Sequence, residues 1–208
     1  MNTLNEISKI TNRLYLSGVF PLETEEIIDN GIENSNIQYV VCCVKSSNVI
    51  EEHLNIMQLI PNICIIYLPF DDIVTENLWK INHGEVSILI PNFSIKKKDK
   101  IKSMLNIYIG KSYIEIAYHF IEFAMESKSN ILIHCMAGIS RSVSVLCYFL
   151  MKKNNISYRN AIDFVKKYRP IASPNKSFVK QLLAYDKLRD KYRSADSEMI
   201  CNSFLIKK

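Results

Sequence analysis

The feature that most constrains this chain is the stretch at 131–142, which reads Ile-Leu-Ile-His-Cys-Met-Ala-Gly-Ile-Ser-Arg-Ser. Its three leading apolar residues predict a short buried strand, and a helical pattern begins at Arg141. Between strand and helix lies a loop that contains Cys135 and Gly138. A loop at a helix N-terminus directs several backbone N–H groups toward one point, where the helix dipole adds partial positive charge. The stretch therefore predicts an anion-binding loop built around a cysteine.

Two side chains of this loop predict its chemistry. The field at a helix N-terminus favours a thiolate over a thiol, so Cys135 is predicted to be a nucleophile at neutral pH. Arg141 lies six residues later and offers a planar set of donors that can bind two oxygens of a phosphoryl group together. This pair predicts phosphoryl transfer, with the guanidinium holding the substrate and stabilising charge on its oxygens.

The pattern His134-Cys135-x5-Arg141-Ser142 resembles the signature loop of the cysteine-dependent protein tyrosine phosphatases. The form Ala-Gly-Ile-Ser-Arg-Ser at 137–142 is similar to that of the dual-specificity branch. A bare Cys-x5-Arg pattern is weak, but the preceding strand, the His, the Gly and the final Ser make it specific. The alternative interpretation is a buried structural cysteine beside an unrelated surface arginine.

Other apolar runs predict further strands, at 13–18, 39–44 and 63–68. Helical patterns are found at 22–30, 112–127, 143–151, from 157–160 onward, and from Phe178 through Leu188. This alternation predicts an α/β fold with a central, mostly parallel sheet flanked by helices, and the resemblance implies the protein tyrosine phosphatase form of it. In such sheets ligands bind beyond the carboxyl ends of the strands, where Cys135 stands.

A pair of aspartates follows the third predicted strand. In the family that Cys135 indicates, a loop at this place supplies an Asp that protonates the leaving oxygen. The position three residues after Pro69, with an Asn-Leu pair following, favours Asp72 over Asp71. The alternative is that both are turn-forming residues that start a helix.

The resemblance also implies roles for other loop residues. The phosphoryl oxygens would be bound by Met136, Ala137, Gly138, Ile139, Ser140 and Arg141. Ser142 would donate a hydrogen bond to the departing thiolate, and His134 would orient the loop. Asn175 closes an Arg-Pro-x-x-x-Pro-Asn run typical of the family, and would either support the loop or cap the last helix.

The segment at 81–111 departs from compact dual-specificity domains and is predicted to be an insertion in a catalytic domain spanning 1–193. Its basic run, Lys96, Lys97, Lys98 and Lys100, either faces solvent or docks an acidic partner protein. The tail at 194–208 is polar, without a periodic pattern, and is expected to be mobile.

Composition limits the other possibilities. The net charge of +5 is too small to favour a nucleic-acid partner. No apolar run approaches about 18 residues and no leader pattern opens the chain, so we expect no membrane span and a cytoplasmic or nuclear location. No metal-ligand spacing is found, so neither metal nor other cofactor is expected. Heavy use of Ile, Asn and Lys is typical of an AT-rich genome, such as that of a large DNA virus or a protozoan. If the source is viral, the resemblance implies an H1-like member that acts in a host cell or virion.

The uncharged loop residues Met136, Ala137 and Ile139 differ from the lysine-bearing loops of relatives that act on inositol lipids, so a phosphoprotein is the expected substrate. The short chain implies a shallow cleft that accepts phosphotyrosine as well as phosphoserine and phosphothreonine. The alternatives are an RNA 5′-triphosphatase on the same fold, a silent phospho-binding module, and an interaction protein. In some relatives a cysteine placed like Cys42 forms a disulfide with the oxidised nucleophile; ordinary core packing is the other interpretation.

Overall fold

The structure is a computed structural model that describes residue 4 and residues 6–22, 36–59, 62–90 and 94–205 of the 208-residue chain. The helix predicted at 22–30 lies outside these residues, apart from its first position.

Within the described residues the fold is organised around one six-stranded sheet with the order β1-β2-β6-β3-β4-β5. Its strands are β1 Ser8–Lys9, β2 Leu14–Ser17, β3 Ile37–Cys42, β4 Cys64–Tyr67, β5 Ser87–Leu89 and β6 Asn130–His134. The four central strands are parallel, and only the edge strands β1 and β5 pair antiparallel. The predicted α/β fold with a mostly parallel central sheet is therefore confirmed.

The helices of the described residues pack around this sheet. They are α1 Ile50–Leu59, α2 Ile95–Tyr108, α3 Tyr113–Glu126, α4 Arg141–Asn154, α5 Tyr158–Tyr168 and α6 Lys176–Leu205, and short 3-10 turns lie at Phe20–Leu22 and Ser46–Asn48. The last helix continues well past Leu188, where the sequence pattern ends. The mobility expected of the tail stays a prediction.

The strand before the predicted anion-binding loop lies in the middle of the sheet. β6 pairs with β2 on one side and β3 on the other, and Ser17 and Cys42 both stand opposite His134 in register. The side chains from Ile131 to His134 are all buried. A central strand buried on both faces has little freedom to shift, so the loop that follows it begins from a fixed point.

The helix after the loop is equally fixed. In α4 every residue from Ser142 to Met151 is buried, and α3 packs against it with an apolar stripe that includes Ile116 and Phe120. Burial of an apolar helix is worth roughly 25 cal/mol per Å² of apolar surface removed from water. The helix that carries Arg141 is therefore held over its first three turns.

The segment predicted as an insertion contains β5 and α2 and is anchored to the domain. Asn82 is buried and binds its far end, since its N–H donates to Lys111 O at 2.9 Å and its oxygen accepts from Gly110 N at 2.9 Å. Ile101 and Tyr108 of α2 are buried as well. Its base is therefore part of the core, while its charged side chains at Lys100 and Lys102 are exposed.

The cap of α5 gives a test of how these helix ends are held. Ser157 Oγ accepts a hydrogen bond from Asn160 N, the bond of a helix N-cap. We expect Ser157→Ala to lower the free energy of unfolding by about 0.5–2 kcal/mol in urea denaturation. Ser94→Ala is the matched control, because the Ser94 hydroxyl makes no cap bond at the start of α2. Equal effects of the two substitutions would contradict the capping role.

Candidate active site

One buried arginine sets the shape of the loop after β6. Arg169 donates from Nε to Gly138 O at 2.7 Å and from Nη2 to Ala137 O at 3.2 Å. Its Nη1 donates to Glu6 O and Ser8 Oγ, each at 3.1 Å. The Arg169 side chain is completely buried. Two successive loop carbonyls are thus turned outward, away from the centre of the loop.

The carbonyls on either side are held in the same way. Val19 N donates to Met136 O at 2.9 Å, and Ser173 N donates to Ile139 O at 2.8 Å. Because a peptide N–H points away from the C=O of the same peptide unit, four outward carbonyls turn the N–H groups of the loop toward its centre. That arrangement is an anion-binding cradle.

Glycine is required where this loop passes the end of β2. Gly138 has a φ of +66°, and a Cβ there would lie 2.4 Å from backbone atoms of Ser17. Gly18, which directly follows β2, lies on the other side of the same contact, and a Cβ there would be 2.8 Å from Met136 O. Both positions exclude larger residues, since the two backbones are in direct contact.

The predicted nucleophile lies at the floor of the cradle. Cys135 is buried, and Ser142 Oγ donates to its Sγ at 3.2 Å. Arg141 is the first residue of α4, and its Nη1 donates to Phe70 O at 3.4 Å. The structure therefore brings together the thiol, the hydroxyl and the guanidinium that the sequence pattern predicts.

The loop after β4 places the two aspartates differently. Asp72 Oδ1 accepts from Ser140 Oγ at 2.7 Å and from Asn175 Nδ2 at 2.8 Å, and its Oδ2 lies 3.7 Å from Arg141 Nε. Asp71 instead forms an exposed ion pair of 3.6 Å with Lys45. Asp72 is thus the carboxylate that faces the cradle.

Asn175 connects this carboxylate to the last helix. Its Nδ2 binds Asp72, its backbone N–H donates to Ser140 Oγ at 3.0 Å, and its Oδ1 accepts from Phe178 N at 2.9 Å. The last of these is an N-cap bond for α6. Loop support and helix capping were alternative predictions for Asn175. Its hydrogen bonds show that the two are geometrically compatible.

Behind the cradle lies a group of buried side chains in which His134 and Cys42 are joined by two residues that the sequence analysis missed, His53 and Tyr67. His134 Nε2 is 3.1 Å from His53 Nε2, and His53 Nδ1 is 2.9 Å from the Tyr67 hydroxyl. Burial lowers the pKa of His53 to about 4 and lowers that of His134 as well, so both imidazoles are neutral at pH 7. Cys42 is next to them, and burial raises the pKa of its thiol.

Neither of the main omissions had a sequence signal of its own. His53 lies 81 residues from His134 along the chain, and the spacing of the two shows no local motif. Arg169 belongs to the closing run typical of the family, but its contact with the loop 31 residues earlier exists only in the fold.

A thiol in an anion cradle, an arginine at its rim and a facing carboxylate define the class of cysteine-based phosphatases. Residues 23–188 match the family model described as dual specificity phosphatase, catalytic domain, and the chain belongs to this family. The predicted family is confirmed.

Similar proteins agree with this assignment. A protein of Acanthamoeba polyphaga mimivirus, named as a putative tyrosine-protein phosphatase, is 41% identical over 201 residues, which cover 97% of this chain and 93% of that protein. Human dual specificity protein phosphatase 7 is 46% identical over 71 residues, 34% of this chain but only 17% of its own length. The first match extends over almost the whole chain and the second over about a third of it.

Solved structures share the fold. Human tyrosine phosphatase-like serine/threonine/tyrosine-interacting protein superimposes with a TM-score of 0.60 at 19% identity, covering 89% of this chain and 98% of that one. DUSP15 gives a TM-score of 0.60 at 20% identity, covering 91% and 96%. Across the part of the chain that the structure describes, no helix has both the length and the apolarity needed to cross a membrane.

The arginine that shapes the cradle gives a test of the site. Arg169→Met leaves two buried carbonyls without partners, at about 1–3 kcal/mol each. We expect it to lower the free energy of unfolding and also to weaken competitive inhibition by inorganic phosphate at least about tenfold, because the loop amides lose their orientation.

Arg189→Met is the matched control for Arg169→Met. Arg189 also donates to two backbone carbonyls, Met151 O at 2.7 Å and Ile156 O at 2.8 Å, but away from the cradle. It should lose stability in urea denaturation with phosphate inhibition unchanged. A folded Arg169→Met protein with normal phosphate affinity would refute the orienting role of Arg169.

Proposed function

We propose that this protein is a dual-specificity protein phosphatase that removes phosphate from tyrosine and from serine or threonine through a phosphocysteine intermediate. The observation that carries this proposal is the convergence of Cys135, Arg141 and Asp72 on one cradle of inward N–H groups. The names of the mimivirus and human relatives support a protein substrate.

In the first step the Cys135 thiolate attacks phosphorus in line with the leaving oxygen. The S–P bond forms as the P–O bond breaks, while the N–H groups at 136–141 and the Arg141 guanidinium hold the three remaining oxygens. Asp72 gives its proton to the departing oxygen. No group other than these side chains and amides is needed to balance the step.

Three contacts hold Asp72 in place for this role. Its Oδ1 accepts hydrogen bonds from Ser140 and Asn175, and its Oδ2 lies 3.7 Å from Arg141 Nε. A bound phosphoryl group would take over the Arg141 guanidinium, while the two hydrogen bonds to Oδ1 keep the carboxyl group beside the cradle.

In the second step Asp72, now ionised, takes a proton from a water molecule that attacks the phosphocysteine. The new P–O bond forms, the S–P bond breaks, and Ser142 donates a hydrogen bond to the sulfur as it leaves. The 3.2 Å contact between Ser142 Oγ and Cys135 Sγ already exists in the free protein. Inorganic phosphate and the free thiolate result.

The rim of the cleft favours a protein substrate over RNA. Met136 of the loop is exposed, as are Ile73 and Val74, which directly follow Asp72 in the chain, and none of the three carries a charge. An apolar rim suits the side chains that flank a phosphorylated residue, whereas a triphosphate end requires additional cations. A silent binding module would lack the nucleophile, the arginine or the acid, and this chain has all three.

Turnover separates these functions directly. We expect the wild type to release phosphate from phosphotyrosine and phosphothreonine peptides and to leave triphosphate-ended RNA intact. Cys135→Ser should bind the same peptides but release no phosphate, because no phosphocysteine forms. Faster release from the RNA would overturn the proposed substrate class, and equal turnover by Cys135→Ser would overturn the mechanism.

The choice between the two aspartates has its own test. We expect Asp72→Ala to lower kcat for a phosphopeptide by about 10²–10⁴-fold, and less for an aryl phosphate whose leaving group needs no proton. Asp71→Ala, which removes only the exposed pair with Lys45, is the control and should stay within about threefold of wild type. The reverse order of effects would show that Asp71 is the acid.

We further propose that the basic run of α2 docks acidic segments of the substrate protein. We also propose that the phosphatase itself acts in a reducing compartment, the cytoplasm or the nucleus. Lys100 of this run is exposed, as is the nearby Lys102. Asn82 fixes the base of the segment at 81–111 by hydrogen bonds, so these charges lie on an anchored part of the surface. Surface charges of this kind chiefly raise the rate of association with an oppositely charged partner.

Charge reversal tests this docking without removing the buried residues of α2. Lys96→Glu, Lys97→Glu and Lys98→Glu together should raise KM for a phosphoprotein several-fold and leave an aryl phosphate unaffected. The control reverses three lysines elsewhere on helices, Lys166, Lys167 and Lys187. Equal effects of both triple variants, or no effect on KM, would remove the docking role.

A further inference from the structure

Three metal-binding side chains meet behind the catalytic loop. Cys42 and His134 are register partners at the carboxyl ends of the adjacent parallel strands β3 and β6, so their side chains lie on the same face of the sheet. His53 comes from α1, which packs on that face, and its ring contacts that of His134 at 5.0 Å between centroids. All three residues are completely buried. Two strands and a helix therefore fix the cluster in place.

The spacing of the ligand atoms fits a tetrahedral ion. The Cys42 sulfur and one nitrogen of each histidine all lie within 4.8 Å of one another, and the two Nε2 atoms are 3.1 Å apart. Zn²⁺ holds His nitrogen at about 2.0–2.1 Å and Cys sulfur at about 2.3 Å, which separates nitrogens by about 3.3 Å and nitrogen from sulfur by about 3.5 Å. Because the ligand atoms lie within 4.8 Å of one another, the sulfur has to approach the nitrogens by about 1.3 Å at most.

The surroundings of His53 are those of a metal ligand. Its Nδ1 lies 2.9 Å from the Tyr67 hydroxyl, which leaves Nε2 directed into the cluster. A histidine that binds a metal usually gives its other ring N–H to an oxygen in this way, which fixes both tautomer and orientation. A thiolate with two neutral imidazoles is a ligand set that suits zinc, and three protein ligands leave a fourth position for water.

We propose that Cys42, His53 and His134 form a Zn²⁺ site that inhibits the enzyme from behind the catalytic loop. On binding, the Cys42 thiol loses its proton to solvent, the imidazole proton between the rings moves to an Nδ1 atom, and three metal–ligand bonds form. His134 directly precedes Cys135, so drawing its ring toward the ion shifts the nucleophile relative to Ser142 and Arg141. This inhibitory consequence rests on the proposed phosphatase function, whereas metal binding itself does not.

Cobalt spectroscopy tests the site without relying on catalysis. The Cys135→Ser protein removes the catalytic thiolate as a competing ligand. We expect it to bind one Co²⁺ with a thiolate-to-cobalt charge-transfer band, and Zn²⁺ to displace the cobalt. Adding Cys42→Ser or His53→Gln should weaken binding by at least about 100-fold, because even changes to residues behind the ligands weaken metal affinity by about 10–100-fold.

Matched controls are available in the same protein. Cys147→Ser removes a buried thiol of α4, and His119→Gln removes an exposed histidine of α3, and neither should change the cobalt spectrum. Tyr67→Phe keeps the packing but removes the hydroxyl bound to His53, and should weaken binding by about 10–100-fold. Circular dichroism of each variant shows whether it is folded.

Inhibition kinetics complete the test. In the wild type, Zn²⁺ should lower kcat for an aryl phosphate with little change in KM, and His53→Gln should relieve the inhibition. The proposal is overturned if the charge-transfer band survives Cys42→Ser, if Cys135→Ser protein binds no cobalt, or if zinc inhibition is unchanged in His53→Gln. A normal cobalt titration with an inactive wild type would instead refute the phosphatase function and leave the metal site standing.

Discussion

The rest of this site depends on the hydrogen bonds that turn the carbonyls of the loop outward. A chain of backbone amides does not converge on one point unless each carbonyl finds a partner elsewhere, because a buried carbonyl without a hydrogen bond costs about 1–3 kcal/mol. Arg169 supplies two partners, and the backbone at Val19 and Ser173 supplies the others. Hydrogen bonds at the outer edge of the loop therefore hold the N–H groups at its centre in an anion-binding arrangement.

The same loop positions the proposed acid. Ser140 accepts from Asn175 N and donates to Asp72, so the proposed nucleophile and the proposed acid are both placed relative to this residue. Asn175 in turn begins α6, so the end of the domain is tied to its catalytic centre. Without these contacts the carboxylate would adopt many orientations. The reaction would then be slower, because a poorly oriented group seldom lies where it can transfer a proton.

How much of this could be predicted depends on whether a residue has local signals. The strand, loop and helix around Cys135 are encoded within twelve residues, and β3, β4 and the helices α3 to α5 follow from periodicity and caps, with predicted ends shifted by up to three residues. The choice of Asp72 over Asp71 came from position along the chain and agrees with the side that each carboxylate faces. The sequence pattern assigns no element to α1, and without that helix His53 has no place in the site. Contacts between distant positions depend on packing, which periodicity does not report.

His134 shows why the two sides of the loop are not independent. Its backbone belongs to the central strand, its ring reaches His53 on the far side, and the next residue is the nucleophile. The front of the loop is held by hydrogen bonds that a bound phosphate does not disturb. The back is held by neutral imidazoles whose lone pairs can also serve a metal ion. A ligand bound to the His134 ring on the buried side would therefore act on the Cys135 sulfur through a single peptide bond, without any change in the surrounding fold.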